Sequence, residues 1–185
     1  MEVSLSLEEI SFFQKKAQEK IAAEGWSGRN QEVKINNFSQ CWLTEEAFKK
    51  ILIKNKVWFR HRGLYVGDAE GAGKDFILRR DGKEIGLGLR SINHDSLEKW
   101  KTVAYPEDRF LQEPEKIADY VVVCHLEKDL VKFLGLISKE EMLRELQNSP
   151  RLYSPRNQEH FRVIKLEKFS LVQLEEFLHG LEKIS

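Results

Sequence analysis

The pair Asp81-Gly82 restricts this chain more than any other two residues. Both central positions of a type I′ turn take φ above zero, and Asp followed by Gly supplies them. Alternating apolar residues flank the pair, with Phe76 and Leu78 before it and Ile85, Leu87 and Leu89 after it. A period of two predicts a hairpin over residues 75–80 and 84–91, with those five side chains on its buried faces. The other face then carries Asp75, Ile77 and Arg79 on one strand, and Gly86, Gly88 and Arg90 on the next. The two-residue turn sets Asp75 opposite Gly88, with Arg90 two residues further along the same face.

A chain of 185 residues, 41% apolar and 32% charged, is long enough for one domain with a sizeable core. Its formal net charge is zero. That weighs against unspecific polyanion binding, which draws its affinity from excess Lys and Arg, and leaves room for a local basic patch. Cys41 and Cys124 are the two cysteines. Both read as buried thiols outside any disulfide framework, which suits a reducing compartment. No basic segment followed by an apolar run opens the sequence, and no run approaches the roughly 20 apolar residues of a membrane span. The expectation is a cytoplasmic protein with no membrane partner; oligomeric state is not readable.

In chain order, residues 5–24 form an amphipathic helix. Ser6 caps it, Glu9 completes a capping box, and Gly25 stops it. Residues 26–42 show no clear period, and Trp26, Phe38 and Trp42 pin them to the body. Thr44 caps a second helix over residues 45–55. Its apolar stripe contains Glu45, Phe48 and Leu52, and Glu46 and Lys50 form an exposed pair. A strand over residues 57–66 precedes the hairpin, and residues 93–117 form a long connection with one helical turn near residues 97–100. Residues 118–126 are a dense β-branched run, read as a buried central strand with residues 130–137 as its neighbour. Ser138 and Glu141 cap the next helix. A strand over residues 161–166 follows, and Ser170 caps a terminal helix to about residue 183. Val121, Val123, Leu134, Leu136, Leu87 and Leu89 are expected in one core with Phe48 and Leu52. The domain reading is an N-terminal helix and extended segment over residues 1–43, packed on a main domain over residues 44–185.

This order of elements resembles the PD-(D/E)XK nuclease superfamily. The resemblance rests on Glu45 as the helix acid and on Asp75 in Gly73-Lys-Asp-Phe-Ile as the acid that opens the second strand. It also rests on Ala118-Asp-Tyr-Val-Val-Val, followed by Leu134-Gly-Leu-Ile-Ser-Lys-Glu-Glu141. It implies an α/β, restriction-endonuclease-like fold with a central mixed β-sheet of about five to six strands flanked by helices. It further implies Mg²⁺ held by Asp75 and Glu45, DNA as substrate, Arg90 stabilising charge in the transition state, and Lys74, Arg60 and Arg62 contacting nucleic acid. The third strand departs from the family pattern of acid, any residue, lysine, because Gly88-Leu89-Arg90 stands there. Arginine keeps a positive charge but stays protonated and cannot act as a base; glycine removes a metal ligand, for which Glu84 or Glu70 could substitute.

Two functions therefore stand side by side: a DNA-directed, Mg²⁺-dependent phosphodiester hydrolase, and a catalytically silent nucleic-acid- or protein-binding module of the same fold. Asp75 reads as a metal ligand or as an acid that caps backbone at a strand opening. Glu45 reads as a ligand or as an acid favoured by the helix dipole. The run Lys49, Lys50, Lys54, Lys56, Arg60, His61 and Arg62, with Trp58 and Phe59 interleaved, reads as a nucleic-acid face or as a solvated helix face. His125 reads as a core or strand-end histidine, and no zinc spacing is present.

Overall fold

A computed structural model describes residues 1–23, 31–63, 73–107, 114, 117–155 and 159–184. Nine strands and four α-helices are described. Strands β1 (Glu2–Ser4), β2 (Phe59–His61), β3 (Phe76–Arg80), β4 (Lys83–Ile92), β6 (Tyr120–Glu127) and β7 (Leu130–Ser138) build a six-stranded mixed sheet in the order β1-β7-β6-β4-β3-β2. Strands β5 (Thr102–Pro106), β8 (Leu152–Ser154) and β9 (Glu159–Lys165) form a second sheet in the order β5-β9-β8. The helices are α1 (Leu7–Ala23), α2 (Gln31–Lys54), α3 (Lys139–Asn148) and α4 (Leu171–His179). The class is α/β, as expected, with a mixed sheet of six strands.

The hairpin forms as its sequence dictates. Asp81 and Gly82 take φ of 51° and 74°, and β3 pairs antiparallel with β4 from Phe76↔Leu87 to Arg80↔Lys83. Phe76, Leu78 and Leu87 are fully buried, and Ile85 and Leu89 pack partly buried against the same cluster. β4 then runs parallel to β6, whose other neighbour is β7, antiparallel. The capping box at the start of α1 forms in full, and the serines before α3 and α4 cap their helices. Ser6 N–H donates to Glu9 at 2.7 Å and Glu9 N–H donates back to Ser6 Oγ at 3.1 Å. Ser138 and Ser170 accept from Glu141 N–H and Gln173 N–H.

Several expectations are corrected. The second helix begins at Gln31, so Thr44 is no cap: its hydroxyl donates to the Cys41 carbonyl inside the helix at 2.8 Å, satisfying itself locally. Ile35, Phe38, Trp42, Glu45, Phe48 and Leu52 recur at spacings of three and four on this helix, and intervening Asn, Ser and Gln dilute the period. The boundary drawn between residues 43 and 44 thus falls inside one continuous helix, and β1 is an edge strand of the main sheet. Lys50 pairs with Glu9 at 2.7 Å, while Glu46 pairs with Lys49 at 3.1 Å. The long connection contains β5, whose partner β9 lies far along the chain. Cys41 is exposed; Cys124 is buried, and both are free thiols. Gly25, Trp26, residues 64–66 and Glu70 lie outside the described residues.

The expected single core is two. One lies between the six-stranded sheet and α1, α2 and α4, and contains Phe48, Leu52, Leu87, Val122, Cys124 and Leu136. The other lies on the opposite face and holds Val121, Val123, Ile137 and Met142, with Leu134 packed against it. An uninterrupted apolar strand is buried on both faces, and alternation divides its side chains between them. The second core is closed by α3 and by Val103, Tyr105 and Ile164 of the smaller sheet.

Gly135 shows how tightly β7 is covered. A Cβ there would stand 2.4 Å from the Phe169 carbonyl oxygen, where Leu136 and Ser170 exchange backbone hydrogen bonds at 3.0 and 3.1 Å. Backbone cannot step aside as a flexible side chain can. Gly135→Ala is therefore expected to lower stability by about 1–3 kcal/mol. Urea denaturation of both proteins measures it, and an unchanged midpoint contradicts this packing.

Candidate functional site

The chain enters β3 through a bulge. Asp75 N–H donates to the Leu87 carbonyl at 2.9 Å, although Leu87 already faces Phe76. Two consecutive residues thus share one partner on β4, which bends the strand and re-aims the Asp75 side chain. Its carboxylate turns back and accepts the Leu89 N–H at 2.7 Å. This is the bond a further β3 carbonyl would make had the strand continued. Asp119 does the same on the other edge of β4, accepting the Gly86 N–H at 2.6 Å just before β6 begins. Both carboxylates extend ladders past the ends of neighbouring strands.

Glu45 lies on the buried stripe of α2 and is 2% exposed. His61 Nε2 stands 2.9 Å from its Oε2, and the His61 ring stacks on Phe76 with centroids 4.6 Å apart. Arg62 reaches to 4.0 Å from Asp75 Oδ1. Burial first, and the nearby Glu45 charge second, push the Asp75 carboxyl up to about 7; the Leu89 N–H, Arg62 and His61 oppose that rise. Glu45, His61, Asp75 and Arg62 therefore form one mostly buried polar cluster between α2 and the start of β3. His61 was legible only as part of a basic run, because its link to Glu45 spans 16 residues and leaves no local spacing signal.

Arg90 is not part of this cluster. Alternation sends it to the face opposite Leu89, where its Nη2 donates to the Ala104 carbonyl at 2.7 Å. Its guanidinium carbon lies 5.3 Å from the centre of the Tyr105 ring. The space beside Gly88 is filled by the chain itself: a Cβ on Gly88 would stand 2.6 Å from the Gly73 carbonyl oxygen. A Cβ on Gly86 would meet the Lys74 stem at 2.7 Å. Residues 73–74 thus cross the outer face of β4, and Gly73 takes φ of 60° to do so. Lys74 itself is exposed. Arg60 is exposed and stands 3.5 Å from Glu84, which also faces Arg79 at 3.8 Å. Glu84 is engaged there, at the turn end of the hairpin, away from Asp75.

Among the described residues no three His, Cys, Asp or Glu side chains are grouped to hold a metal ion. One Asp75 oxygen is engaged by the Leu89 N–H, and a Mg²⁺ ion takes one or two carboxylates with waters filling the rest of its shell. No helix among the described residues is long and apolar enough to cross a membrane. No protein-family model, curated protein or solved structure matches this chain.

An acid whose pKa is raised on folding stabilises the native state while protonated, and that contribution is lost as pH climbs through the folded value. The unfolded carboxyl titrates near 3.9, so stability should fall between about pH 4 and pH 7 and level off above. The Asp75 part amounts to a few kcal/mol. Asp75→Asn keeps an acceptor for Leu89 N–H without the charge. It should flatten that slope and exceed the wild type in stability at pH 8. Denaturation midpoints across this range test it; parallel curves for the two proteins contradict the assignment.

Proposed function

We propose that this chain is a DNA-directed protein of endonuclease-like architecture whose site is catalytically silent. The order of α2, the β2-β3-β4 meander and a parallel β6 supports the architectural likeness. The observation that carries the silent reading is the third strand. The Gly73 carbonyl occupies the place where an acid would project from residue 88, and Arg90 is tied to Ala104 on the far face. Among the described residues, the third strand offers no side chain that completes a metal site with Asp75 or orients a water.

With a net charge of zero, DNA affinity rests on a local patch. Arg60 and Lys74 are exposed cations, while Arg62 is turned inward, with 18% of its side chain accessible. Phosphate contacts by such residues release counterions and make binding salt-dependent.

One observation favours the hydrolase instead: Glu45 raises Asp75, and a cation between two acids would relieve that repulsion. The two readings separate in one experiment. Wild type, Asp75→Asn and Arg60→Glu/Lys74→Glu are incubated with duplex DNA and Mg²⁺ or Mn²⁺, and binding is followed by fluorescence anisotropy over a salt series. The silent reading expects no cleavage. It also expects binding that weakens in the double variant, with a salt slope smaller by roughly one per phosphate contact removed. Metal-dependent cleavage abolished by Asp75→Asn establishes the hydrolase; no DNA binding at low salt removes the DNA assignment.

A further inference from the structure

We propose that His94 and His125 form an open two-histidine site for a divalent transition-metal ion of the Zn²⁺, Ni²⁺ or Cu²⁺ class. The site lies at the Ile92 end of β4, away from the Glu45–Asp75 cluster, and is independent of the function proposed above.

His125 is 5% exposed, and its Nδ1 lies 2.8 Å from the Ile92 carbonyl oxygen. A carbonyl can only accept, so Nδ1 carries the proton and Nε2 presents its lone pair. This is the arrangement of a metal-binding histidine, in which a backbone carbonyl fixes the tautomer and the ring orientation. Nε2 has no hydrogen-bond partner among the described residues, and it is not an enclosed atom. An otherwise buried imidazole therefore reaches solvent through its one free nitrogen.

The second imidazole stands next to it. The His94 and His125 ring centroids are 6.3 Å apart and the planes tilt by 45°. A metal–nitrogen bond of about 2.0–2.1 Å puts each ring centre about 3 Å from the ion, so two rings on one ion have centres about 5–6 Å apart. His94 is exposed, so its side chain is the one to move and close the difference. Its backbone is held in a tight turn: the Asn93 side chain accepts Ser96 N–H at 2.8 Å, and the Asn93 carbonyl accepts Leu97 N–H at 3.1 Å. A one-turn π-helix, Ser96–Trp100, follows directly.

The charges nearby tolerate a cation. Glu127 lies within electrostatic reach of both histidines, and its charge balances that of Lys132 at 3.1 Å. No third side chain joins the two histidines in a closed cage among the described residues, so waters complete the coordination. Imidazole donors select Zn²⁺, Ni²⁺ and Cu²⁺ over Mg²⁺ and Ca²⁺, which prefer oxygen. This discrimination distinguishes the site from the carboxylate cluster.

The test is calorimetric titration of the untagged full chain with Ni²⁺ in a non-coordinating buffer, repeated with excess Mg²⁺. The expected result is one ion per chain, undisplaced by Mg²⁺, and bound at least about tenfold more weakly by His94→Ala. His94 is exposed, so its truncation leaves the core intact. His179→Ala, at another exposed histidine, should bind like the wild type. A Zn²⁺ titration followed by NMR should shift the His125 ring resonances in the wild type and leave them unmoved in His94→Ala. No heat from the wild type, or full affinity in His94→Ala, overturns the proposal.

Discussion

The hydrogen bond from Leu89 N–H to the Asp75 carboxylate governs this structure. β4 is the strand on which the main sheet turns from antiparallel to parallel pairing. Its neighbours begin at different heights, which would leave donors on β4 unmet inside the protein, where an unpaired N–H costs about 1–3 kcal/mol. Asp75 meets one donor and Asp119 the other. The bulge that swings Asp75 into place brings it under α2, beside the one acid on that helix's buried stripe. Two acids thus share a desolvated space, and Asp75 holds its proton more tightly.

The same constraint accounts for the glycines. A strand reading Gly-Leu-Gly-Leu has poor β propensity, and it survives here because residues 73–74 pass directly over it. Gly88 yields its side-chain volume to the Gly73 carbonyl, and Gly86 yields its own to the Lys74 stem. A glutamate at residue 88 would have to displace that backbone, undoing the approach that places Asp75. The third-strand acid of an endonuclease and this path of the loop are physically exclusive.

The hairpin, the central strands and the capped helix starts were legible because each has a local cause: a turn pair with φ above zero, a period of two, a serine three residues before an acceptor-seeking N–H. The first half of α2 was not, because Asn36, Asn37, Ser39 and Gln40 leave only Ile35, Phe38 and Trp42 to mark its stripe. β1, β5 and β8 escaped because strands of three to five residues carry too little pattern. Of the candidate site, Glu45 and Asp75 were legible as residues, and their environment was not. His61 meets Glu45, Gly73 meets Gly88 and Arg90 meets Ala104 only through the folded chain. Arg90 projects to the face of β4 away from the Glu45–Asp75 cluster, where a backbone carbonyl on β5 holds its guanidinium.

The central claim is that Asp75 serves backbone rather than metal. The most direct measurement is the Asp75 carboxyl pKa, read by NMR from the side-chain carbonyl carbon with and without millimolar Mg²⁺. The expected result is a carboxyl raised to about 7 by burial and the Glu45 charge, against the opposing Leu89 N–H, and unchanged when Mg²⁺ is added. A fall towards or below the ordinary aspartate value in Mg²⁺ would show the carboxylate on the ion and contradict the account.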